Sequence, residues 1–92
     1  MPDIKEQKST KTDIVLNKTY TVIVHNDDFN TFEHVIDCLI RYCEHSEDQA
    51  SQCSYIIHYK GKCDVKRGDK EKMMKIWNGL TLSNLTVTLE VV

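Results

Sequence analysis

No stretch of this sequence approaches the about 20 consecutive apolar residues that a bilayer span requires. Residues 1–12 are polar and contain no hydrophobic signal region, so secretion is not expected and a cytoplasmic protein is. Neither charge sign dominates. Twelve basic and 14 acidic residues leave a formal net charge of −2, which points neither to nucleic acid nor to an anionic membrane as a partner. The four cysteines, Cys38, Cys43, Cys53 and Cys63, are spaced by 5, 10 and 10 positions, and none of these intervals is a CxxC metal pattern. Reduced, buried thiols are therefore expected rather than disulfide staples, and no metal or cofactor is expected. There is no internal repeat and no low-complexity segment.

What is present suits one small domain. The chain has 92 residues, 40% hydrophobic and 28% charged, which is ordinary for a soluble globular protein with one modest core. Its charges are unevenly placed. Acids concentrate in residues 26–48 (Asp27, Asp28, Glu33, Asp37, Glu44, Glu47 and Asp48 against Arg41), and bases in residues 60–75. Solvated helix faces produce such runs; an acidic half facing a cationic ligand and a basic half facing a partner would also produce them.

Residues 1–17 read as a flexible tail and residues 18–92 as the folded domain. Thr19 to Val24 is β-branched and aromatic, a first strand that stops at the turn-forming Asn26-Asp27-Asp28. Asn30 and Glu33 have the form of a capping box. Phe32, Val35, Ile36, Leu39, Ile40 and Cys43 then fall at helical period on one apolar stripe. Ser46 and Gln49 open a second helix running to about Tyr59, with Ala50, Cys53, Ile56 and Ile57 toward the core and Gly61 ending it. A short strand follows over Cys63–Arg67, then a third helix from Lys70 to Gly79. Last comes a strand in which Leu85, Val87, Leu89 and Val91 alternate with polar residues. The order is β-α-α-β-α-β, an α+β fold with a small three-stranded antiparallel sheet packed on one face by three helices.

Two blocks in this pattern carry a resemblance. The stretch from Tyr20 to Leu39, an aliphatic strand followed by Asn26-Asp27-Asp28, an aromatic residue and a helix, is similar to the signature of the ClpS adaptor family. So is Ile57-His58-Tyr59-Lys60-Gly61-Lys62, whose distance from Asn26 agrees with the family without a gap; the likeness covers residues 18–92. It implies a non-enzymatic adaptor that binds substrates whose first residue is Leu, Phe, Tyr or Trp. It also implies docking on the amino-terminal domain of a ClpA- or ClpC-type AAA+ unfoldase that feeds ClpP, with residues 1–17 reaching toward the unfoldase.

The chemistry of the matching residues suits that role. An α-ammonium offers three N–H donors and a full charge, so its site needs converging acceptors. The resemblance assigns amino-group binding to Asn26, Asp27 and His58, an amide, a carboxylate and an imidazole. Asp28 would shape the turn or contact the substrate backbone. An accepting imidazole is a neutral one, so binding is expected to weaken as pH falls through the imidazole range, about pH 6.5. By resemblance, the pocket for the first side chain is lined by Asn30, Phe32, Val35, Ser54, Ile57 and Leu85. Periodicity cannot separate Val35, Ile57 and Leu85 as pocket wall from the same residues as core.

The chain departs from the family where Phe32 and Ser54 replace methionines, His25 replaces an aliphatic residue and Asn30-Thr31 replaces Thr-Pro. An altered ranking among Leu, Phe, Tyr and Trp is expected. By the same resemblance Glu71 and Lys75 would be the counterparts of an acidic and a basic unfoldase-docking residue, and a monomer is expected. Other readings are a ClpS-like domain of a ubiquitin ligase, an interaction domain that has lost or altered amino-terminal binding, and a small hydrolase using His58 and Asp27. The last lacks a nucleophile in a known motif, and His25, His34 and His45 show no metal-ligand spacing.

Overall fold

The computed structural model describes residues 18–92, so the expected tail, residues 1–17, lies outside the described residues. The chain runs β1 (Tyr20–His25), α1 (Phe32–Cys43), α2 (Glu47–Lys60), β2 (Lys62–Gly68), α3 (Lys70–Leu82) and β3 (Thr86–Val91). This is the expected order and class. β1 is the middle strand of a sheet ordered β2-β1-β3, antiparallel to both neighbours. A central strand needs side chains that tolerate burial, and β1 supplies Val22 and Val24, almost fully buried. They pack with Leu39, Cys43, Ala50 and Leu80 into one core between sheet and helices.

The register fixes where the strand ends meet. His25 stands opposite Lys62 of β2 and Thr86 of β3. The turn after β1, the end of α2 and the start of β3 therefore converge at one edge of the sheet. Farther along, Val22 pairs with Lys66 and Ile23 with Asp64, so Val65 is the extra residue of a β-bulge. Its side chain is buried, and its carbonyl accepts a hydrogen bond from His45 Nε2 at 2.7 Å. Because the carbonyl can only accept, His45 carries its proton on Nε2.

Helix boundaries correct several expectations. Thr31, not Asn30, caps α1: its Oγ1 accepts from His34 N at 3.1 Å, while the Asn30 side chain is drawn to Asp27 and Asn84. The Ser46 cap of α2 is as expected, accepting from Gln49 N at 3.1 Å, and Gly61 closes the helix in the left-handed region at φ 96°. α2 buries Ala50, Ser54 and Ile57; Ile56, expected in the core, is 38% exposed. Neighbouring helix positions lie about 100° apart, so Ile56 is turned away when Ile57 faces inward.

The third helix does not end at Gly79. A Cβ there would lie 2.5 Å from the Tyr42 ring, so this glycine permits close approach of α1 and α3. The helix continues to Leu82 and closes in a Schellman arrangement. Asn84 takes the left-handed position at φ 72°, with Asn84 N–H donating to Thr81 O and Leu85 N–H to Leu80 O. Leu85 thus belongs to the helix stop, and β3 begins one residue later than expected.

Candidate functional site

Strand ends and helix ends meet where His25, Lys62 and Thr86 align, and the turn 26–31 is held there by named bonds. Asn26 N–H donates to Gly61 O at 2.8 Å, tying the end of β1 to the cap of α2 one turn beyond His58. Asp27 organises the rest. Its Oδ1 accepts from Phe29 N and Asn30 N, each at 2.9 Å. Its Oδ2 accepts from Asn30 Nδ2 at 2.8 Å and Thr86 Oγ1 at 2.9 Å. Asn30 Nδ2 also donates to Asn84 O at 2.9 Å, and His34 Nε2 to Ser83 O at 2.9 Å, so the loop before β3 is bonded to the start of α1.

This arrangement sets the electrostatics. Burial pushes the Asp27 carboxyl up, but the donors from Asn30, Phe29 and Thr86 outweigh it and hold the group below its ordinary value of 3.8. Asp27 is a fixed negative charge whose acceptor positions are all engaged by the protein itself. By contrast, the side chains of Asn26, Asp28 and His58 make no hydrogen bonds to other described residues.

A pocket of about 270 Å³ opens beside this turn. Asn26, Asp27, Asp28 and His58 give it a polar side, and Phe32, Val35 and Ile57 an apolar one; Asn30, Thr31 and Ser54 complete the lining. His58 packs edge-on against Phe32 with ring centroids 5.7 Å apart. Of the residues expected at the site, the structure brings all but Leu85 and the two docking candidates to this pocket. Leu85 is buried and lines an adjoining cavity of about 20 Å³, together with Val35, Ile57 and Asn26. Glu71 and Lys75 are exposed on α3, away from it. Lys75 borders a separate groove of about 490 Å³ with Lys66, Arg67 and Lys72.

Two contributors escaped the sequence reading. Thr31 both caps α1 and lines the pocket, and its hydroxyl three residues before His34 was the available signal. Thr86 anchors Asp27 from a residue 59 positions away, which no local pattern reveals.

Ser54 and His58 lie one helical turn apart, but Ser54 Oγ has no hydrogen-bond partner, and Asp27 does not bond to the His58 ring. No nucleophile–base pair is assembled. Burial raises all four thiols, those of Cys43 and Cys63 to about 12, which keeps them protonated and poorly nucleophilic. All four cysteines are free. Among the described residues no group of three or more His, Cys, Asp or Glu is placed to hold a metal ion. No helix there is long and apolar enough to cross a membrane.

Comparison with known proteins gives a consistent pattern. The sequence matches the family model for ClpS, the ATP-dependent Clp protease adaptor protein, over residues 16–82. It is 34% identical over 88 residues to the ATP-dependent Clp protease adapter protein ClpS of Thermosynechococcus vestitus, covering 95% of this chain and 94% of that one. It is also 34% identical over 87 residues to the adapter protein of the same name from Nostoc sp., covering 94% and 90%. Among solved structures, Agrobacterium tumefaciens ClpS2 bound to L-phenylalaninamide superposes with a TM-score of 0.75 at 23% identity, covering 82% of this chain and 98% of that one.

Proposed function

Because the chain belongs to the ClpS family of Clp protease adaptors, we propose that it binds the free amino terminus of proteins beginning with Leu, Phe, Tyr or Trp and delivers them to a Clp unfoldase and its ClpP protease. The observation that carries this reading is the pocket beside the turn 26–31, where a polar side with a fixed negative charge adjoins an apolar side. In this reading Asn26 and His58 accept from the ammonium, Asp27 supplies charge and holds the turn, and Asp28 faces the substrate backbone or amino group. Phe32, Val35 and Ile57 take the first side chain, with Asn30 and Ser54 beside them and Leu85 supporting from the adjoining cavity. Fully burying a Leu or Phe side chain contributes about 1.5–3 kcal/mol, enough to separate it from Ala or Ser. The relative solved with L-phenylalaninamide supports the reading, since that ligand joins a free amine to a phenylalanine side chain.

The unfoldase, of ClpA or ClpC type, docks on α3, where Glu71 and Lys75 form an exposed acidic and basic pair one helical turn apart. The adaptor works as a cytoplasmic monomer, without cofactor and without chemistry of its own.

The test is a titration of the full chain into a labelled peptide beginning with free Leu or Phe, beside the same peptide acetylated at its amino group. Binding of the free form alone is expected. Equal binding of both forms, or of neither, would remove amino-terminal recognition and leave an interaction domain of this fold.

A further inference from the structure

Ser54 is the one buried polar side chain in the pocket lining. Only 2% of its surface is exposed, and its Oγ has no hydrogen-bond partner among the described residues. A serine inside a helix commonly bonds the carbonyl four residues back; Ser54 does not bond Ala50 in this way. Buried hydroxyls without partners are few in native proteins, because each forfeits its bonds to water. This one lies on the wall of a ligand-sized pocket, among apolar neighbours, Val35 and Ile57, that offer it nothing.

We propose that Ser54 determines specificity by reading the far end of the bound first side chain, favouring an amino-terminal tyrosine over phenylalanine. The proposal rests on the function proposed above and deepens it. With the ammonium held on the polar side by Asn26 and His58, the first side chain enters the part of the pocket lined by Phe32, Val35, Ile57 and Ser54, the least exposed of its lining residues. A phenylalanine presents C–H groups there and leaves Oγ as unpartnered as before, even when rotation about the Ser54 Cα–Cβ bond turns it toward the pocket. A tyrosine presents a phenol that can donate to Oγ or accept from it. Pockets built to hydrogen-bond a substrate group discriminate against analogues lacking it, because their own polar atom is then left unpaired. Asn30 and Thr31 also line the pocket, but the Asn30 amide and the Thr31 hydroxyl are already bonded to Asp27, Asn84 and His34, which leaves Ser54 as the unpartnered buried group placed to separate the two rings.

The experiment compares peptides identical beyond their first residue, which is tyrosine, phenylalanine or 4-methylphenylalanine, by fluorescence anisotropy on the full chain. The methyl compound matches tyrosine in size without its hydrogen bond. Tyrosine is expected to bind about five- to tenfold more tightly than either, the range of one neutral hydrogen bond. In Ser54→Ala the three affinities should converge. That variant should fold at least as stably, since it removes an unbonded hydroxyl and alanine is the better helix former. Ser54→Cys, close in size but a weak hydrogen bonder, should narrow the preference in the same direction.

Equal binding of tyrosine and phenylalanine by the natural protein would overturn the proposal, as would a preference that survives Ser54→Ala. Acetylated controls distinguish this from a deeper failure. If free and acetylated peptides bind alike, amino-terminal recognition itself has failed and the Ser54 reading falls with it. If free peptides bind but do not discriminate, only the Ser54 reading falls.

Discussion

Asp27→Ala should unfold this protein more readily, by an amount the hydrogen-bond geometry sets. The carboxylate receives four donors: Phe29 N, Asn30 N, Asn30 Nδ2 and Thr86 Oγ1, all within 2.8–2.9 Å. Hydrogen bonds to a charged group contribute about 1.5–3 kcal/mol each, and summing four of them would overshoot. The bonds from Phe29 and Thr86 are exposed, and water replaces Asp27 there at little cost. The two Asn30 bonds are partly buried and carry most of the loss, at about 1–1.5 kcal/mol each. The expected destabilisation is about 2–3 kcal/mol, which lowers Tm by roughly 10–20 °C in a domain of this size. Asp27→Asn keeps an acceptor for the two backbone donors but sets its own amide group against Asn30 Nδ2, so about half the loss is expected.

The pH dependence adds a second, independent check. The folded-state pKa of Asp27 lies below its ordinary value of 3.8, so the unfolded chain binds this proton more readily than the native one. The contribution is therefore complete above the unfolded value and disappears as pH falls through the depressed folded one. Urea unfolding followed by Trp77 fluorescence would measure it, since Trp77 is partly buried and donates to Val87 O. The gap between natural protein and Asp27→Ala should be constant above about pH 5 and shrink below about pH 4. A gap under about 0.5 kcal/mol at neutral pH, or one unchanged by acid, would refute the structural role given to Asp27.

Three other substitutions separate structure from recognition. His58→Ala, on the exposed side of α2, should change stability by under about 0.5 kcal/mol while weakening free-amine peptides about tenfold, read by anisotropy against acetylated controls. Asp28→Ala should also leave the unfolding midpoint nearly unchanged, because Asp28 is exposed, yet weaken the same peptides severalfold, most at low salt; unaltered binding would confine Asp28 to the turn. Gly79→Ala should destabilise by up to about 2 kcal/mol despite a better helix propensity, because overpacking against a ring costs about 1–3 kcal/mol and the propensity gain is about 1. The added Cβ would lie 2.5 Å from Tyr42, and a raised midpoint in thermal unfolding would contradict that contact.

The fold was legible because its determinants are local. The apolar stripe of α1, the alternation of β3, the cap at Ser46 and the left-handed Gly61 all act within a few residues of themselves. The errors arose where a distant partner decided. Gly79 looked like a helix end because glycine often is one, yet Tyr42 from another helix explains it, and Asn84 takes the stop. Asn30 looked like a cap because its spacing to Glu33 was right, but the Asp27 carboxylate and the Asn84 carbonyl compete for its side chain and leave Thr31 to cap. The bulge at Val65 and the buried His45 bonded to it have no local signature at all.

The same distinction divides the site. The family resemblance, together with their residue types, made Asn26, Asp27 and His58 three equivalent acceptors for an ammonium. The three-dimensional arrangement makes them unequal: Asp27 has its lone pairs filled by Phe29, Asn30 and Thr86, while Asn26 and His58 give theirs to no other described residue. A carboxylate so engaged can still act on a cation, because its charge is not consumed by neutral donors; it acts through the field rather than through a bond of its own. Such a device has a structural consequence. Asp27, which attracts the amino group in the proposed function, also fixes Asn30, which is bonded in turn to the carbonyl of Asn84, and through Thr86 it fixes the start of β3. The pocket wall is therefore rigid before a ligand arrives, and the cost of ordering it is met in folding rather than in binding. Substitutions at Asp27 must then couple stability to affinity, whereas those at His58 and Asp28 need not.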